Sequence, residues 1–203
     1  MSAQIERDFT FQAGVHFQGT FSMNIYAFTL NMEVTTENIR EQQVAMERMK
    51  YFIHECLENS IFVQDTDRAI IEKYSACGIR VCEIPEEPYD QIIALLLLLK
   101  LDSIAEYRLA MTDIVLTSKL SDDVRFKEDI LTAKTEMPIV GWWAESNTAT
   151  TNVAKVKNKK DKIVKMVNTS EWNDVGLSWE EDTANTSNVT EIIFTTNTAT
   201  RNP

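Results

Sequence analysis

The sequence predicts an α+β domain, with a mostly antiparallel sheet and helices packed on one face, followed by a polar C-terminal tail. Three observations predict it: apolar residues alternate near the N-terminus, later segments carry apolar residues at helical spacing, and apolar content falls after about residue 130. We therefore divide the 203 residues into a domain at 1–136 and an extended or partly disordered tail at 137–203.

The domain is predicted to begin with two strands joined by a turn at Gln18 and Gly19. Every second residue of 9–17 is apolar, which is the period of a strand with one buried face. A second strand covers residues 20–34, where the alternation changes phase near Tyr26. That change predicts either a β-bulge or a strand that another subunit covers on its second face.

A long helix is predicted to follow, from a hydroxyl cap at Thr35 and Thr36 to about Asn59. Apolar residues recur along it at helical spacing and form one stripe. The opposite face carries charged residues, among them Arg48, and is expected to face solvent.

The remaining predicted elements are a helix at 65–78, a strand at 79–84, a helix at 89–101, a strand at 105–118 and a further strand near 124–130. Five consecutive leucines at 95–99 predict that the third helix is buried on every side. The apolar residues of the 105–118 strand fall on two faces.

The charge of the chain argues against nucleic-acid binding by the domain. The net charge is −11, and residues 1–136 hold 13 basic and 23 acidic residues. Such a surface repels phosphate backbones. We therefore expect contact with nucleic acid, if any, only through a lysine-rich part of the tail.

The chain is expected to be cytoplasmic, in the host cytoplasm if it is viral. Its three cysteines cannot form an even disulfide set, and its N-terminus lacks the apolar region of a secretory signal. The longest apolar run, residues 92–99, is too short to cross a bilayer, so no membrane contact is expected.

Four segments of the domain, taken with the element order, match a known pattern. Residues 11–16 read FQAGVH, residues 24–34 read NIYAFTLNMEV, residues 84–93 read IPEEPYDQII, and residues 108–116 form the last long strand. They resemble the F-x-A-x-H opening, the second strand, the E-x-P-T-A-E-N helix entry and the final strand of the tunnelling-fold (T-fold) superfamily. The resemblance covers about residues 10–130. Members of the superfamily include 6-pyruvoyl-tetrahydropterin synthase and carboxytetrahydropterin synthase.

The resemblance implies a zinc site whose ligands this chain lacks. The family binds zinc through three histidines, and the chain has two in all. His16 lies one residue out of register with the first ligand and is the one weak metal candidate. We expect it to be exposed; the alternative is that it lines a shared interface or a pocket mouth. The segment in place of the His-Gly-His motif, residues 19–24, reads GTFSMN. The family's nucleophilic cysteine and anchoring glutamate are also missing, which predicts a pseudoenzyme with no cofactor, no metal and no catalytic residue.

The tail carries the residues most typical of a binding site. Six lysines lie within eleven residues, and two tryptophans lie seven residues apart among acidic residues. Lysines suit phosphate or an acidic surface, including that of the chain's own domain, and tryptophan is enriched in interfaces. The alternative is a solvated linker with incidental aromatic residues. The predicted partner-binding residues are Lys155, Lys157, Lys159, Lys160, Lys162, Lys165, Trp172 and Trp179.

Two functions follow from these expectations. The first is a non-catalytic binding or assembly protein that acts through protein interfaces and its tail, and is a homo-oligomer because T-fold proteins associate through sheet edges. The alternative is a zinc-independent binder or enzyme of the T-fold class that takes a pterin or a purine. The composition of the tail and the degenerate motifs also resemble those of bacteriophage accessory proteins.

Overall fold

The computed structural model describes residues 3–147 and 171–180 of the chain. Its strands are β1 (Gln4–Phe17), β2 (Thr20–Val34), β3 (Ile61–Gln64), β4 (Val81–Ile84), β5 (Leu109–Ser118) and β6 (Phe126–Asp129). Its helices are α1 (Ile39–Tyr51), a π-helix (Phe52–Leu57), α2 (Arg68–Ala76), α3 (Asp90–Ala105), α4 (Ile130–Glu136) and two 3-10 turns (Trp142–Ala144 and Trp172–Val175).

All six strands form one sheet in the order β4-β3-β1-β2-β5-β6. The β1–β2, β2–β5 and β5–β6 pairs are antiparallel, whereas β3 pairs in parallel with both β1 and β4. The predicted α+β class with a mostly antiparallel sheet is therefore confirmed. None of the helices in the described ranges is both long enough and apolar enough to cross a membrane.

The β1–β2 hairpin turns at Gln18 and Gly19, whose φ angles are 48° and 77°. Two successive positive φ angles are what a two-residue hairpin turn requires, and glycine adopts them without strain. The register runs without interruption from Phe17 opposite Thr20 to Gln4 opposite Glu33. The bulge predicted in β2 near Tyr26 is therefore wrong.

A bulge does occur, in β5. Asn31 lies opposite Asp113 and Met32 lies opposite Met111, so Thr112 is an extra residue without a partner in β2. An extra residue shifts the side-chain alternation by one position. The apolar residues before and after Thr112 consequently share the buried face: Leu109, Met111, Ile114 and Leu116. The prediction that the apolar residues of this strand fall on two faces is therefore wrong.

Helix α1 begins after Asn38 rather than at Thr35 or Thr36. The Asn38 side-chain oxygen accepts from the backbone N–H groups of Arg40 and Glu41, at 3.0 and 3.4 Å. An asparagine cap satisfies N–H groups that have no partner inside the helix. The cap predicted at Thr35 and Thr36 is therefore wrong.

Helix α3 forms the centre of the main core, as its leucines predict. It packs against β5 and β6 on one side and against α1, α4 and the Trp142–Ala144 turn on the others. Leu95 to Leu98 are all buried, whereas Leu99 is partly exposed. Contact on every side explains why the helix has no polar face.

Helix α2 packs on the outer face of the sheet, opposite α1 and α3, so the predicted packing of the helices on one face does not hold for α2. Ile61 and Val63 of β3 form a small cluster with Ile71 and Val81, while Phe62 between them belongs to the main core. Because successive strand residues point to opposite faces, both faces of β3 are covered. Residues buried on both faces show no alternation, which is why no strand is predicted here from the sequence.

The leucines of α3 provide a test of this packing. We expect Leu98→Ala to lower the free energy of unfolding by about 2–5 kcal/mol, because it opens a cavity in the core. Leu99→Ala, the matched control, should cost clearly less because that side chain already reaches solvent. Urea unfolding of the two variants measures the difference, and equal losses would contradict the orientation of α3.

Candidate functional site: a tryptophan–arginine groove

Residues 171–180, called the arm below, lie against the domain beside α1 and the end of α3. The arm begins with a 3-10 turn in which the side chains of Glu171 and Asp174 cap each other's backbone N–H groups. Gly176, at φ 71°, ends the turn. This short structure places Trp172 and Trp179 on the same side of the arm, toward the domain.

The indoles of the arm stack against two guanidinium groups of the domain. The Arg48 Cζ atom lies 3.7 Å from the ring centre of Trp179 and 4.8 Å from that of Trp172. The Arg108 Cζ atom lies 4.2 Å from the ring of Trp179. Each such contact contributes about 0.5–2 kcal/mol, more where water is excluded. Arg48 is 2% exposed, so its contacts lie at the upper end of that range.

Glu106 joins the arginine and the tryptophan in one network. One of its carboxylate oxygens accepts from Arg48 Nη1 at 2.9 Å, and the other accepts from Trp179 Nε1 at 2.8 Å. The Arg48 Nε–H donates to the backbone carbonyl of Leu177 at 2.7 Å. The Glu106–Trp179 and Arg48–Leu177 hydrogen bonds join the domain to the arm, and the Arg48–Glu106 pair lies within the domain. We call the surface formed by Arg48, Glu106 and Arg108 the groove.

The backbone at the groove is strained. Glu106 and Tyr107 both have left-handed φ angles, 46° and 67°, although neither is a glycine. A non-glycine residue pays roughly 1–2 kcal/mol for this conformation. The conformation ends α3 and sets the Glu106 carboxylate between its two donors, so the strain is offset by the contacts it creates.

Burial lowers the pKa of Arg48 to about 10, and the neighbouring Glu106 carboxylate opposes that change. The guanidinium therefore stays charged near neutral pH. A charge that is removed from water in this way requires full pairing. The Glu106 carboxylate, the Leu177 carbonyl and the two indole faces supply it.

Residues 142–147, called the strap below, make hydrogen bonds both to the domain and to the arm. Trp142 Nε1 donates to the carbonyl of Glu83 at 2.8 Å, and Trp143 Nε1 donates to that of Pro138 at 2.7 Å. The strap in turn holds the arm, because the carbonyl of Ser146 accepts from Trp172 Nε1 at 2.6 Å.

The buried side chain of Lys100 holds the strap through two hydrogen bonds. Its side chain is 0% exposed, and its Nζ donates to the carbonyls of Glu145 and Asn147 at 2.6 and 2.8 Å. The ring of Phe52 lies 5.4 Å from the same nitrogen. Burial lowers the pKa of Lys100 to about 7, with the Glu145 carboxylate acting in the opposite direction.

The predicted site residues divide into three groups. Trp172 and Trp179 contact the chain's own domain, and their binding of another protein stays a prediction. The six lysines, Lys155 to Lys165, lie outside the described residues. His16 is 6% exposed, so its predicted exposure is wrong: α2 covers this end of β1, and Nδ1 lies 3.9 Å from the carboxylate of Asp67. Within residues 3–147 and 171–180, no three His, Cys, Asp or Glu side chains are grouped as metal ligands.

The sequence interpretation missed the residues of the groove. The helical pattern predicts that Arg48 faces solvent, but it is buried because the arm covers that face of α1. For the strap, the sequence does contain a signal: Lys100 is a charged residue directly after five leucines in a helix predicted to be buried all round. A charge in that position indicates a fixed polar partner.

A second concave surface lies on the outer face of the sheet. It encloses about 340 Å³ across β1, β2 and β5. Its polar lining includes Asp8, whose carboxylate accepts from the Thr29 hydroxyl at 2.6 Å. The other polar residues that line it are Glu6, Thr10, Asn31, Thr117 and Arg125. It is open and mixed in charge, in contrast to the filled groove.

The buried amine predicts how stability changes with pH. Between pH 7 and 8.5, the unfolded chain retains the Lys100 proton that the folded chain has lost, so the free energy of unfolding should rise with pH. One proton gives a slope of at most about 1.4 kcal/mol per pH unit. Above this window, the buried thiols of Cys56 and Cys82 oppose the rise, because burial raises their pKa to about 11 and about 12.

We therefore expect Lys100→Met to flatten the pH dependence, as measured by urea unfolding at half-unit steps from pH 7 to 8.5. Lys73→Met, which changes an exposed lysine of α2, is the matched control and should keep the wild-type slope. An unchanged slope in Lys100→Met would show that another group is responsible.

Comparison of the sequence with known families and curated proteins assigns the chain to no family. No protein-family model matches the chain, and a search of curated proteins found no significant match. The T-fold resemblance therefore stays a prediction based on short segments of the sequence. The function has to be inferred from the surfaces of the molecule itself.

Proposed function

We propose that the chain is a non-catalytic assembly protein that forms homo-oligomers by pairing β2 of one copy with β2 of another. The observation that carries this proposal is the first part of β2, residues 20–25, called the overhang below. It combines an open strand edge with exposed apolar side chains.

The overhang extends beyond the strand on its other side. β2 pairs with β5 only from Tyr26 onward, whereas its pairing with β1 starts at Thr20. Lys119 N–H donates to the carbonyl of Ile25, and the following loop contacts Asn24. In the part of the chain that the structure describes, no strand pairs with the overhang opposite β1.

Three large apolar side chains of the overhang reach solvent on the outer face. Phe21, Met23 and Ile25 are 45%, 43% and 50% exposed. An exposed group of this kind, in a strand whose inner face is buried, is typical of an interaction surface.

The overhang also lacks the protection that exposed sheet edges usually carry. Charged residues and prolines commonly prevent edge strands from pairing with other chains. The edge strands β4 and β6 are four residues long and carry charges, for example Glu83 and Lys127. Residues 20–25 contain no charge and no proline. This contrast supports pairing at the overhang rather than at the two outer edges.

The hairpin geometry suggests one register for the pairing. Backbone groups of alternate strand residues point toward and away from the neighbouring strand. In this hairpin Phe17 and Thr20 flank the turn and pair with each other, so the backbone N–H and C=O groups of Phe21 and Met23 point to the open edge. A two-fold axis at Ser22 would then set Phe21 of one copy opposite Met23 of the other, where a sulfur–aromatic contact adds about 0.3–1.5 kcal/mol.

Two further observations agree with this proposal. Cys56, Cys77 and Cys82 are all free, which suits a cytoplasmic protein. Association through a sheet edge is also what the T-fold resemblance implies, for a degenerate member without the family's catalytic residues. An assembly role is consistent with the resemblance to bacteriophage accessory proteins.

We expect Met23→Glu to convert the oligomer to a monomer, because it places a carboxylate at the centre of the paired edge. Size-exclusion chromatography with light scattering measures the mass of the wild type and the variant. Lys127→Glu, on the β6 edge, is the matched control and should leave the oligomer intact. A monomeric wild type, or an oligomer that survives Met23→Glu in a chain whose arm also lacks both indoles (Trp172→Ala/Trp179→Ala), would refute the proposal.

A second candidate function is the binding of a purine or pterin, and the outer concavity favours it. The Asp8 carboxylate at its wall is a suitable acceptor for the guanidine-like edge of such a ring. This function predicts a rise in melting temperature with millimolar guanine or neopterin, and loss of that rise in Asp8→Asn. If neither compound changes the melting temperature, the small-molecule function is rejected and the assembly function is unaffected.

A further inference from the structure

The groove has the properties of a peptide-binding site that is already filled. We propose that it recognises an acidic segment with two tryptophans seven residues apart, and that the arm of a second copy of this chain binds there in exchange with the copy's own arm. This inference depends on the contacts of the groove and not on the pairing of β2.

Charge complementarity specifies the kind of segment. The arm contains three acidic residues and no basic one: Glu171, Asp174 and Glu180. The groove contains two guanidinium groups, which are paired with the domain carboxylates Glu106 and Glu41. Arg40 adds a third beside it by donating to the carbonyl of Glu180 at 3.2 Å. Because the domain as a whole is strongly acidic, a place where three arginines lie together is suited to an acidic peptide.

The spacing of the tryptophans gives the groove its selectivity. The indoles of Trp172 and Trp179 both stack against Arg48, and the carbonyl of Leu177 between them accepts from the same side chain. The turn closed by Gly176 brings the indoles to that separation. A segment with one tryptophan would leave one of these stacking contacts of Arg48 unmade. A different spacing would misplace the carbonyl.

The length of chain before the arm permits exchange between copies. The bond from Trp172 to the carbonyl of Ser146 brings the arm next to the strap. Yet 23 residues, 148–170, join the two, and a chain of that length spans up to roughly 80 Å when extended. The connection is therefore far longer than the contact in one copy requires.

The arm of a second copy suits the groove because the two chains are identical. Its arm has the same sequence as the segment seen in the groove, so it makes the same stacking contacts and hydrogen bonds. Exchange of an identical element between copies adds no new interface and is a low-cost route to association. The own arm competes because its tether gives it an effective concentration in the millimolar range.

The groove is tested first with a free peptide. A fluorescent peptide of residues 171–180 is titrated into Trp172→Ala/Trp179→Ala, in which the chain's own arm lacks both indoles, and binding is followed by anisotropy. Met23→Glu is included in every protein so that pairing of β2 does not contribute. We expect the peptide to bind this variant at least tenfold more tightly than it binds the chain with an intact arm. A peptide carrying Trp179→Ala should bind at least tenfold more weakly.

Exchange between copies is tested by mixing two variants. The chain without arm tryptophans supplies a groove, and an Arg108→Glu chain supplies an intact arm with an impaired groove. Light scattering should then detect a one-to-one complex, which an excess of the peptide dissociates. Since both chains carry Met23→Glu, failure of the β2 proposal would not remove this complex.

Each result decides the proposal. Failure of the peptide to bind the emptied groove overturns the recognition site, and peptide binding without a mixed complex overturns exchange between copies. Circular dichroism confirms that the variants are folded. If the double variant is not, Trp179→Ala alone replaces it, because that variant keeps the buried Trp172 and its bond to Ser146.

Discussion

The buried guanidinium of Arg48 is the constraint on which the C-terminal part of this structure depends. A charge with 2% of its residue surface exposed must be paired, because an unpaired ion in the interior costs several kcal/mol. The domain supplies one partner, Glu106, and the arm supplies the Leu177 carbonyl and the two indole faces. The arm thus completes the pairing of a residue that belongs to α1. Lys100 repeats the principle for the strap, where backbone carbonyls surround a buried amine.

The two surfaces to which we assign interactions lie on opposite sides of the sheet. The overhang exposes its apolar side chains on the outer face, where the ring of Tyr74 in α2 lies 6.1 Å from that of Phe21. The groove is built from α1 and the end of α3, which pack on the inner face. The two contacts can therefore form without competing for space on the same face. Pairing at the overhang uses backbone groups and apolar area, whereas the groove uses charge and aromatic stacking, so salt would affect them differently.

The elements that the sequence could predict are those whose pattern is local. The hairpin and α3 follow from alternation and from five leucines, since one face or every face of each is buried. β3 could not be predicted because both its faces are covered. The bulge predicted in β2 lies instead at Thr112 of β5, and its position becomes evident only from the residue pairing between the two strands. The groove could not be predicted, because Arg48, Glu106 and Trp179 meet only through the tertiary fold. The tryptophans of the tail could be singled out, but the surface that receives them could not.

The positions of the tryptophans have an optical consequence. The chain has four, and all of them lie in the strap or the arm: Trp142, Trp143, Trp172 and Trp179. Each indole N–H donates a hydrogen bond, to Glu83, Pro138, Ser146 and Glu106 respectively. The sheet and the helices contain phenylalanine and tyrosine instead. The intrinsic tryptophan fluorescence of this protein therefore reports on the seam between the domain and its C-terminal segments, and release of the arm would be visible as a spectral change while the sheet stays folded.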